Sequence, residues 1–123
     1  MGLTHAKILL SNPRKPEIEP IEINSLVDTG SYHLCISESI QISLELEVFD
    51  YQMVTLANNM DVKVPFVGPV RIDYMGRKCF IGAYVIGEGC LLGVIPMESM
   101  DLVVQPLNQK LVLNVANQGF QRL

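Results

Sequence analysis

The segment Leu26–Ser31 constrains this chain more than any other. Two apolar residues lead directly into an acid, a hydroxyl and a glycine, which predicts a buried strand that ends in a tight loop presenting the carboxylate of Asp28. An Asp-Thr-Gly triplet occurs by chance in roughly one chain of this length in forty. An ordinary turn, in which the Asp caps its own backbone, is the simplest alternative to a catalytic loop. The surrounding sequence has to decide between them.

Composition excludes several classes of function. The 123 residues predict one domain over 1–123 with a substantial core. With 49% apolar and 18% charged residues, the chain should be compact rather than disordered. The net charge of -4 and the scattered Lys and Arg residues argue against nucleic acid as a partner. No apolar run approaches the roughly 20 residues needed to span a bilayer, so no membrane partner is expected.

The cysteines and histidines predict neither a disulfide framework nor a metal site. Cys35, Cys79 and Cys90 are odd in number and widely spaced, which favours small, buried, reduced thiols and a cytoplasmic location. There is no Cys-x-x-Cys motif, and His5 and His33 have no ligand partner at a usable spacing. We therefore expect no metal and no cofactor.

The chain before Asp28 predicts a β-hairpin. Residues Thr4–Leu10 alternate and then become apolar, as in a strand, and Asn12–Pro16 contains two prolines typical of a turn. Residues Glu17–Val27 alternate again and predict the second strand, although Pro20 limits pairing near its start. This hairpin would deliver Asp28 at its far end.

The segment after the Asp28 loop allows two interpretations. Cys35-Ile36 predicts a short strand, after which Ser37 can cap a helix over Glu38–Leu44. Apolar residues between 36 and 44 recur every four positions, as in a helix, but those between 40 and 46 also alternate, as in a strand. The residues alone leave both interpretations open.

A second hairpin is predicted in the middle of the chain. Residues Gln52–Ala57 and Met60–Val67 are apolar on one face and flank Asn58-Asn59. Asparagine tolerates the left-handed conformation that a two-residue hairpin turn needs, so the tip should lie at these two residues. Gly68-Pro69 should then end the second arm.

The remaining residues predict further short elements. Gly87-Glu88-Gly89 should be a plain turn, because neither a basic residue nor a long helix follows it. The total is an all-β, closed barrel-like domain with one or two short helices. The further elements are strands over Val70–Tyr74, Lys78–Ile86, Leu91–Leu92, Leu102–Val104 and Leu111–Leu113, a helix over Pro96–Met100, and a polar tail over Ala116–Leu123.

Two motifs together resemble a known family. Asp28-Thr29-Gly30-Ser31 follows an apolar pair, and Leu91-Leu92-Gly93 follows much later, ahead of a helix-like segment. This combination resembles the retropepsin-like (clan AA) single-domain aspartic proteases of bacterial and archaeal type, over roughly Leu26–Leu113. The resemblance implies the closed acid-protease barrel, a homodimer, and endopeptidase activity on a peptide or protein substrate. It also favours the helix over Glu38–Leu44.

The resemblance assigns roles to individual residues. Asp28 would be the catalytic carboxylate, Thr29 would hydrogen-bond across the dimer axis, and Gly30 would bring its N–H close to the carboxylates. Ser31 would donate its hydroxyl to ionised Asp28, which implies a more acidic activity optimum than Ser31→Ala would show. The second hairpin would be a flap that closes over an extended peptide, and a second signature would pack behind the catalytic loop. The flap comprises Leu56, Ala57, Asn58, Asn59 and Met60, and the second signature comprises Leu91, Leu92 and Gly93.

The proposed chemistry requires more than one copy of the chain. Hydrolysis of an amide by carboxylates needs two of them sharing one proton, one to activate water and one to bond the scissile carbonyl. The chain contains a single Asp-Thr-Gly. The second Asp28 must therefore come from another copy, across a two-fold axis.

Two other functions stay open. One is a non-proteolytic peptide-binding or dimerisation module on the same fold, which would bind peptides without cleaving them. The other is a small-molecule-binding β-barrel, which would be a monomer with an interior cavity. Peptide cleavage compared between the protein and Asp28→Asn tests the first, and the mass in solution tests the second.

Overall fold

The computed structural model describes residues 3–114, and the predicted tail over 116–123 lies outside them. This part of the chain contains nine strands and two six-residue helices, which confirms the predicted all-β class. Neither helix in residues 3–114 is long and apolar enough to cross a membrane. The strands are β1 Thr4–Ser11, β2 Ile21–Val27, β3 Leu34–Ile36, β4 Glu47–Thr55, β5 Asp61–Tyr74, β6 Arg77–Val85, β7 Leu91–Leu92, β8 Leu102–Gln105 and β9 Lys110–Leu113, and the helices are α1 Glu38–Ser43 and α2 Val94–Ser99.

Six strands close into a barrel. Their order is β1-β2-β7-β3-β6-β5, and β5 pairs with β1 to complete the circle. The pairs β2–β7 and β3–β6 are parallel, whereas the other pairings in the barrel are antiparallel. Strand β4 extends the sheet outward from β5, and β8 and β9 form a separate hairpin.

The barrel interior is filled by apolar side chains. Along β1, residues 4, 6, 8 and 10 are buried while residues 5, 7 and 9 are exposed, as expected for a strand with one face on the core. Side chains from several strands and from the end of α1 meet inside. Those with no exposed surface include Leu10, Leu34, Ile36, Leu44, Val67, Val70, Ile72 and Leu92.

Strand β2 begins later than predicted. The alternation starts at Glu17, but two successive turns occupy this stretch: Lys15 N donates to Asn12 O at 3.1 Å, and Ile18 N donates to Lys15 O at 3.0 Å. Pro20 has no N–H to offer a neighbouring strand. Pairing with β1 therefore begins only at Ile21, and the prediction of a strand from Glu17 is wrong for its first four residues.

The ambiguous segment after β3 is a helix. Ser37 caps it, because its hydroxyl accepts a hydrogen bond from Ile40 N at 3.3 Å. Ile40 and Leu44 point into the core, while Ile42 is 66% exposed. A strand would have placed all three on one face, so burial of every fourth residue identifies the helix. Glu45 then ends it with a left-handed φ of 51°.

The central hairpin is longer than predicted. Its first arm, β4, begins at Glu47 rather than Gln52, and its second arm, β5, runs past Gly68-Pro69 to Tyr74. The pair Gly68-Pro69, joined by a cis peptide bond, lies at a bulge where the register of β5 against β6 shifts. A bulge accommodates a proline because that residue needs no ladder hydrogen bond. The strand therefore continues where the sequence predicted its end.

Leu92 tests the packing of the barrel. It has no exposed surface and lies in β7, between β2 and β3. We expect Leu92→Ala to lower the free energy of unfolding by about 2–5 kcal/mol, because the substitution leaves a cavity among rigid strands. Urea denaturation followed by circular dichroism measures this change. Leu107→Ala is the matched control, since Leu107 is fully exposed and its loss should cost less than about 0.5 kcal/mol. Equal effects of the two substitutions would contradict this account of the core.

Candidate active site

Asp28 follows directly from the end of a paired strand. β2 lies parallel to β7, with Leu26 opposite Leu91 and Val27 opposite Leu92. Asp28 N still donates to Leu92 O at 3.0 Å, so the ladder extends one residue past the strand. Val27 is buried and Asp28 is partly exposed. The strand therefore carries the carboxylate out of the core and holds its backbone in place.

Both carboxylate oxygens of Asp28 accept hydrogen bonds from its own loop. Gly30 N donates to Oδ1 at 2.8 Å, and the Ser31 hydroxyl donates to Oδ2 at 3.1 Å. Ser31 N also donates to the Asp28 backbone carbonyl at 3.2 Å. The first contact is one that an ordinary Asx turn would also make. The Ser31 contact adds a second donor on the other oxygen, so the orientation of the carboxylate is set by two independent bonds.

The first residues of helix α2 hydrogen-bond the end of this loop. Val94 N donates to Ser31 O at 2.8 Å, and Ile95 N donates to Tyr32 O at 2.9 Å. The first N–H groups of a helix have no partners within the helix. Here the loop carbonyls supply those partners, so the helix begins at Val94, two residues before the predicted start at Pro96.

Gly93 is required at the contact between the loop and α2. A Cβ atom built on Gly93 would lie 2.6 Å from both His33 N and His33 O, and 2.6 Å from Tyr32 C. Real Cβ atoms do not approach backbone atoms so closely, and backbone cannot swing aside as a side chain can. The predicted second signature thus lies behind the Asp28 loop, where Leu91 and Leu92 pair with β2 and Gly93 permits close approach.

The tip of the β4–β5 hairpin is a three-residue loop. Leu56 N donates to Met60 O at 2.9 Å, and Asn59 N donates to Leu56 O at 2.9 Å. Of Asn58 and Asn59, only Asn59 adopts a left-handed φ, at 64°. The prediction of a two-residue turn is therefore wrong. A three-residue hairpin loop consists of a type I turn followed by a single residue in the left-handed conformation, which is Asn59 here.

A cavity of about 470 Å³ lies between the Asp28 loop and the β4 arm. Gly30 and Ser31, which both hydrogen-bond the Asp28 carboxylate, form part of its wall, and Val54–Ala57 forms another part. The structure thus brings the catalytic-loop residues together with Leu56 and Ala57 of the predicted flap. It places Asn58, Asn59 and Met60 in exposed positions beyond the cavity lining.

Three aromatic residues of the cavity wall were not predicted from the sequence as site residues. Tyr32, His33 and Tyr84 line the cavity, and the His33 and Tyr84 rings are 5.1 Å apart at 71°. Tyr84 comes from β6, which reaches the Asp28 loop only because β3 and β6 pair in parallel, with Cys35 opposite Tyr84. No local sequence pattern predicts that two strands so distant in sequence will pair.

The cysteine thiols near the cavity are poor nucleophiles. Burial raises the pKa of Cys35, and burial together with the nearby Cys35 thiol raises the pKa of Cys90 to about 12. Both thiols are therefore protonated at neutral pH, while nucleophilic chemistry requires the thiolate. Among residues 3–114, no group of three His, Cys, Asp or Glu side chains is arranged to hold a metal ion.

The fold is similar to that of solved proteases and a protease-like domain. The EIAV protease complexed with the inhibitor HBY-793 matches with a TM-score of 0.58 and 16% identity, over 79% of this chain and 86% of that chain. The retroviral protease-like domain of Ddi1 from Leishmania major matches with a TM-score of 0.58 and 10% identity, over 92% and 90%. A retropepsin-like aspartic protease from Rickettsia conorii matches with a TM-score of 0.54 and 15% identity, over 86% and 91%. The chain therefore has the retropepsin-like fold.

The same similarity is not visible at the level of sequence. No protein-family model matches this chain, and no curated protein does. At 10–16% identity, what these structures share with this chain is the fold.

Gly93 tests whether α2 positions the Asp28 loop. We expect Gly93→Ala to lower the free energy of unfolding by about 1–3 kcal/mol, because the added Cβ pushes apart backbone segments that are otherwise in contact. Thermal and urea denaturation measure the loss. Gly89→Ala is the matched control, since a Cβ there meets nothing within 4 Å. If Gly93→Ala were as stable as Gly89→Ala, the close approach would not constrain the loop.

Proposed function

We propose that the protein is an aspartic endopeptidase that acts as a homodimer, in which each copy contributes Asp28. The observation that carries this proposal is the orientation of the carboxylate. Gly30 N and the Ser31 hydroxyl hold its two oxygens at 2.8 Å and 3.1 Å. Gly30 and Ser31 also line a cavity of about 470 Å³, whose wall does not include Asp28 itself. A cavity of this volume accommodates side chains of a peptide.

The chemistry of the pair gives each carboxylate a separate task. Two carboxylates in close contact cannot both ionise, so they share one proton and titrate as a unit. The ionised Asp28 draws a proton from a bound water, which attacks the scissile carbonyl carbon. The protonated Asp28 of the other copy donates a hydrogen bond to the carbonyl oxygen and later supplies a proton to the leaving amine. One copy alone supplies only half of this machinery.

The proposed roles of the neighbouring residues agree with their positions. Thr29 and Gly30 are exposed at the tip of the loop, where a second copy can approach them. Thr29 would hydrogen-bond the loop of that copy, and the Gly30 N–H fixes Asp28 Oδ1. Leu91, Leu92 and Gly93 support the loop from behind and touch neither water nor substrate in this proposal.

The β4–β5 hairpin is proposed as the flap. Within residues 3–114, β4 pairs with β5 on one edge, and its other edge has no partner strand. An extended peptide can add to such an edge through main-chain hydrogen bonds while its side chains enter pockets. Leu56 and Ala57 reach the cavity wall, and Asn58, Asn59 and Met60 form the outer tip that would close over the peptide.

The remaining features of the proposal concern type and location. We propose a single-domain enzyme over 1–123, of the bacterial and archaeal type of this family, that works in the cytoplasm. The type rests on the resemblance of Asp28–Ser31 and Leu91–Gly93 to that family's motifs. The three free cysteines, Cys35, Cys79 and Cys90, support a reducing compartment.

Substitution of the carboxylate tests the activity. We expect the protein to cleave members of a mixed peptide library at acidic pH, and Asp28→Asn to reduce the rate by about a hundred- to ten-thousand-fold because the amide cannot accept or share the proton. Mass spectrometry of the products measures both. Asp73→Asn is the matched control, since Asp73 pairs with Arg71 on β5 and makes no contact with the Asp28 loop in this pairing. Cleavage that survives Asp28→Asn would refute the proposal, and peptide binding without cleavage by the unmodified protein would identify a binding module.

Ser31 tests how the loop positions the carboxylate. Its hydroxyl donates to Asp28 Oδ2 at 3.1 Å. Ser31→Ala removes this donor and leaves Oδ2 without its bond from the loop, so we expect kcat/KM to fall by roughly ten-fold. The control is Ser31→Thr, which keeps a hydroxyl. A kcat/KM equal to that of the unmodified protein would show that the bond does not influence catalysis.

A further inference from the structure

Five aromatic rings form a continuous row that leads away from the candidate active site. The ring centroids of Tyr32 and His33 are 6.4 Å apart, and those of His33 and Tyr84 are 5.1 Å apart. The row continues with Phe66, 5.0 Å from Tyr84, and ends with Phe49, 6.4 Å from Phe66. We call these five residues the aromatic row.

The fold holds the middle of the aromatic row in place. Phe66 on β5 is the direct partner of Tyr84 on β6. The Tyr84 hydroxyl donates to Gln52 Oε1 on β4 at 2.7 Å. Gly82 leaves room for the Phe66 ring, since a Cβ at Gly82 would lie 2.3 Å from Phe66 Cζ. These contacts give the row a defined geometry before any ligand binds.

The aromatic row begins inside the cavity and ends in the open. Tyr32, His33 and Tyr84 line the cavity beside the Asp28 loop, whereas Phe66 and Phe49 lie beyond its lining. Both ends are accessible, with Tyr32 69% exposed and Phe49 49% exposed. Connected aromatic surface that remains exposed is typical of binding sites. Because three rings of the row line the cavity, a molecule bound in the cavity can extend along this surface.

The chemistry of the aromatic row favours apolar rings. Among the described residues, the cavity wall contains no Asp, Glu, Lys or Arg side chain. At the outer end, Arg14 covers the Phe49 ring at 5.9 Å and is paired with Glu47 at 2.8 Å. The tilted and edge-on rings present both faces and edges, which are the surfaces that another aromatic ring contacts. An acidic or basic side chain would find no charged partner on the cavity wall.

The spacing of the rings fits a peptide strand. Side chains on one face of an extended peptide recur at every second residue, about 6.5 Å apart. Neighbouring rings of the row are separated by 5.0–6.4 Å. An extended peptide that leaves the cavity can therefore place a side chain on the row at a position separated from the scissile bond by one or more residues.

We propose that the aromatic row is a specificity subsite, in which Tyr84 and Phe66 bind an aromatic side chain of the substrate at a position removed from the scissile bond. This inference rests on the proposed function for the direction from which the peptide arrives. It names the substrate class as peptides with Phe, Tyr or Trp away from the cleavage point. Tyr84 and Phe66 act by positioning the substrate and take no part in proton transfer.

Binding to Asp28→Asn tests the subsite independently of cleavage. A fluorescent peptide series places one Phe at successive positions on an otherwise Ala- and Ser-rich strand, and anisotropy gives each Kd. We expect one position to bind roughly two- to ten-fold more tightly when it carries Phe than when it carries cyclohexylalanine, which has similar bulk without a π system. Equal affinity for the two residues at every position, or no measurable binding, would overturn the inference.

Protein variants locate the preference. The preference is the Kd of the cyclohexylalanine peptide divided by the Kd of the Phe peptide. In the Asp28→Asn background, Phe66→Leu should reduce this ratio to near one, and Phe80→Leu should leave it unchanged. Phe80 is also an exposed ring on β6, but it stacks with Arg71 rather than with the row. His33→Leu removes a more exposed ring and serves if Phe66→Leu does not fold. A ratio that persists in both row variants would contradict the proposal.

Cleavage by the unmodified protein separates this inference from the proposed function. If peptides bind with the aromatic preference but are never cleaved, the peptidase proposal fails and the aromatic subsite stands. If peptides are cleaved and the peptide series shows no aromatic preference, the subsite fails and the peptidase proposal stands.

Discussion

The structure depends on a set of backbone hydrogen bonds that link the Asp28 loop to the end of β7 and to the start of α2. Asp28 N donates to Leu92 O, while Val94 N and Ile95 N donate to the carbonyls of Ser31 and Tyr32. These bonds join a strand end, a loop and a helix start that lie far apart in sequence. They satisfy polar groups that would otherwise be unpaired close to the core. The loop is thereby held from both sides, and its carboxylate is held with it.

Pairing of the Asp28 loop with the end of β7 also determines how the strands of the barrel are connected. The parallel pairing of β2 with β7 needs a crossover, and β3–β6 provides it within a closed barrel. Of the nine strands in residues 3–114, closure leaves β4 and the β8–β9 hairpin outside the barrel. Val54–Ala57 at the end of the first arm of the β4–β5 hairpin line one part of the cavity, and Gly30–His33 line another. One copy thus presents one carboxylate beside a cleft, which is half of what the proposed chemistry requires.

The sequence predicts the parts of this site that depend on local rules. Leu26-Val27 running into Asp-Thr-Gly predicted a strand end and loop. Ser37 predicted the cap of a helix over Glu38–Leu44, although the residues alone also allowed a strand there. Several local predictions were wrong because competing local choices prevailed, among them the strand start at Glu17, the two-residue turn at Asn58-Asn59 and the strand end at Gly68-Pro69. Asn59 alone takes the left-handed conformation, and a bulge absorbs Gly68-Pro69 without ending β5.

Other features could not be predicted because they arise from contacts between distant strands. Tyr84 faces His33 only because β6 pairs with β3, and Phe66 lies against Gly82 only because of the β5–β6 register. Alternation shows which residues share a face of one strand, but it contains no information on which strand lies next to it. The contacts of Gly30 and Ser31 with the Asp28 carboxylate depend on both kinds of interaction. They form within one short loop, but the backbone of that loop is held by contacts with distant segments.

The central claim is that two copies of Asp28 form one catalytic centre, and subunit mixing tests it most directly. Unmodified chains and Asp28→Asn chains are unfolded together, refolded at a constant total concentration and assayed against one peptide. If each centre needs both carboxylates, activity follows the square of the fraction of unmodified chains, so an equal mixture retains about a quarter of the full rate. A linear dependence, with about half of the rate in the equal mixture, would show that each chain works alone and would contradict the account.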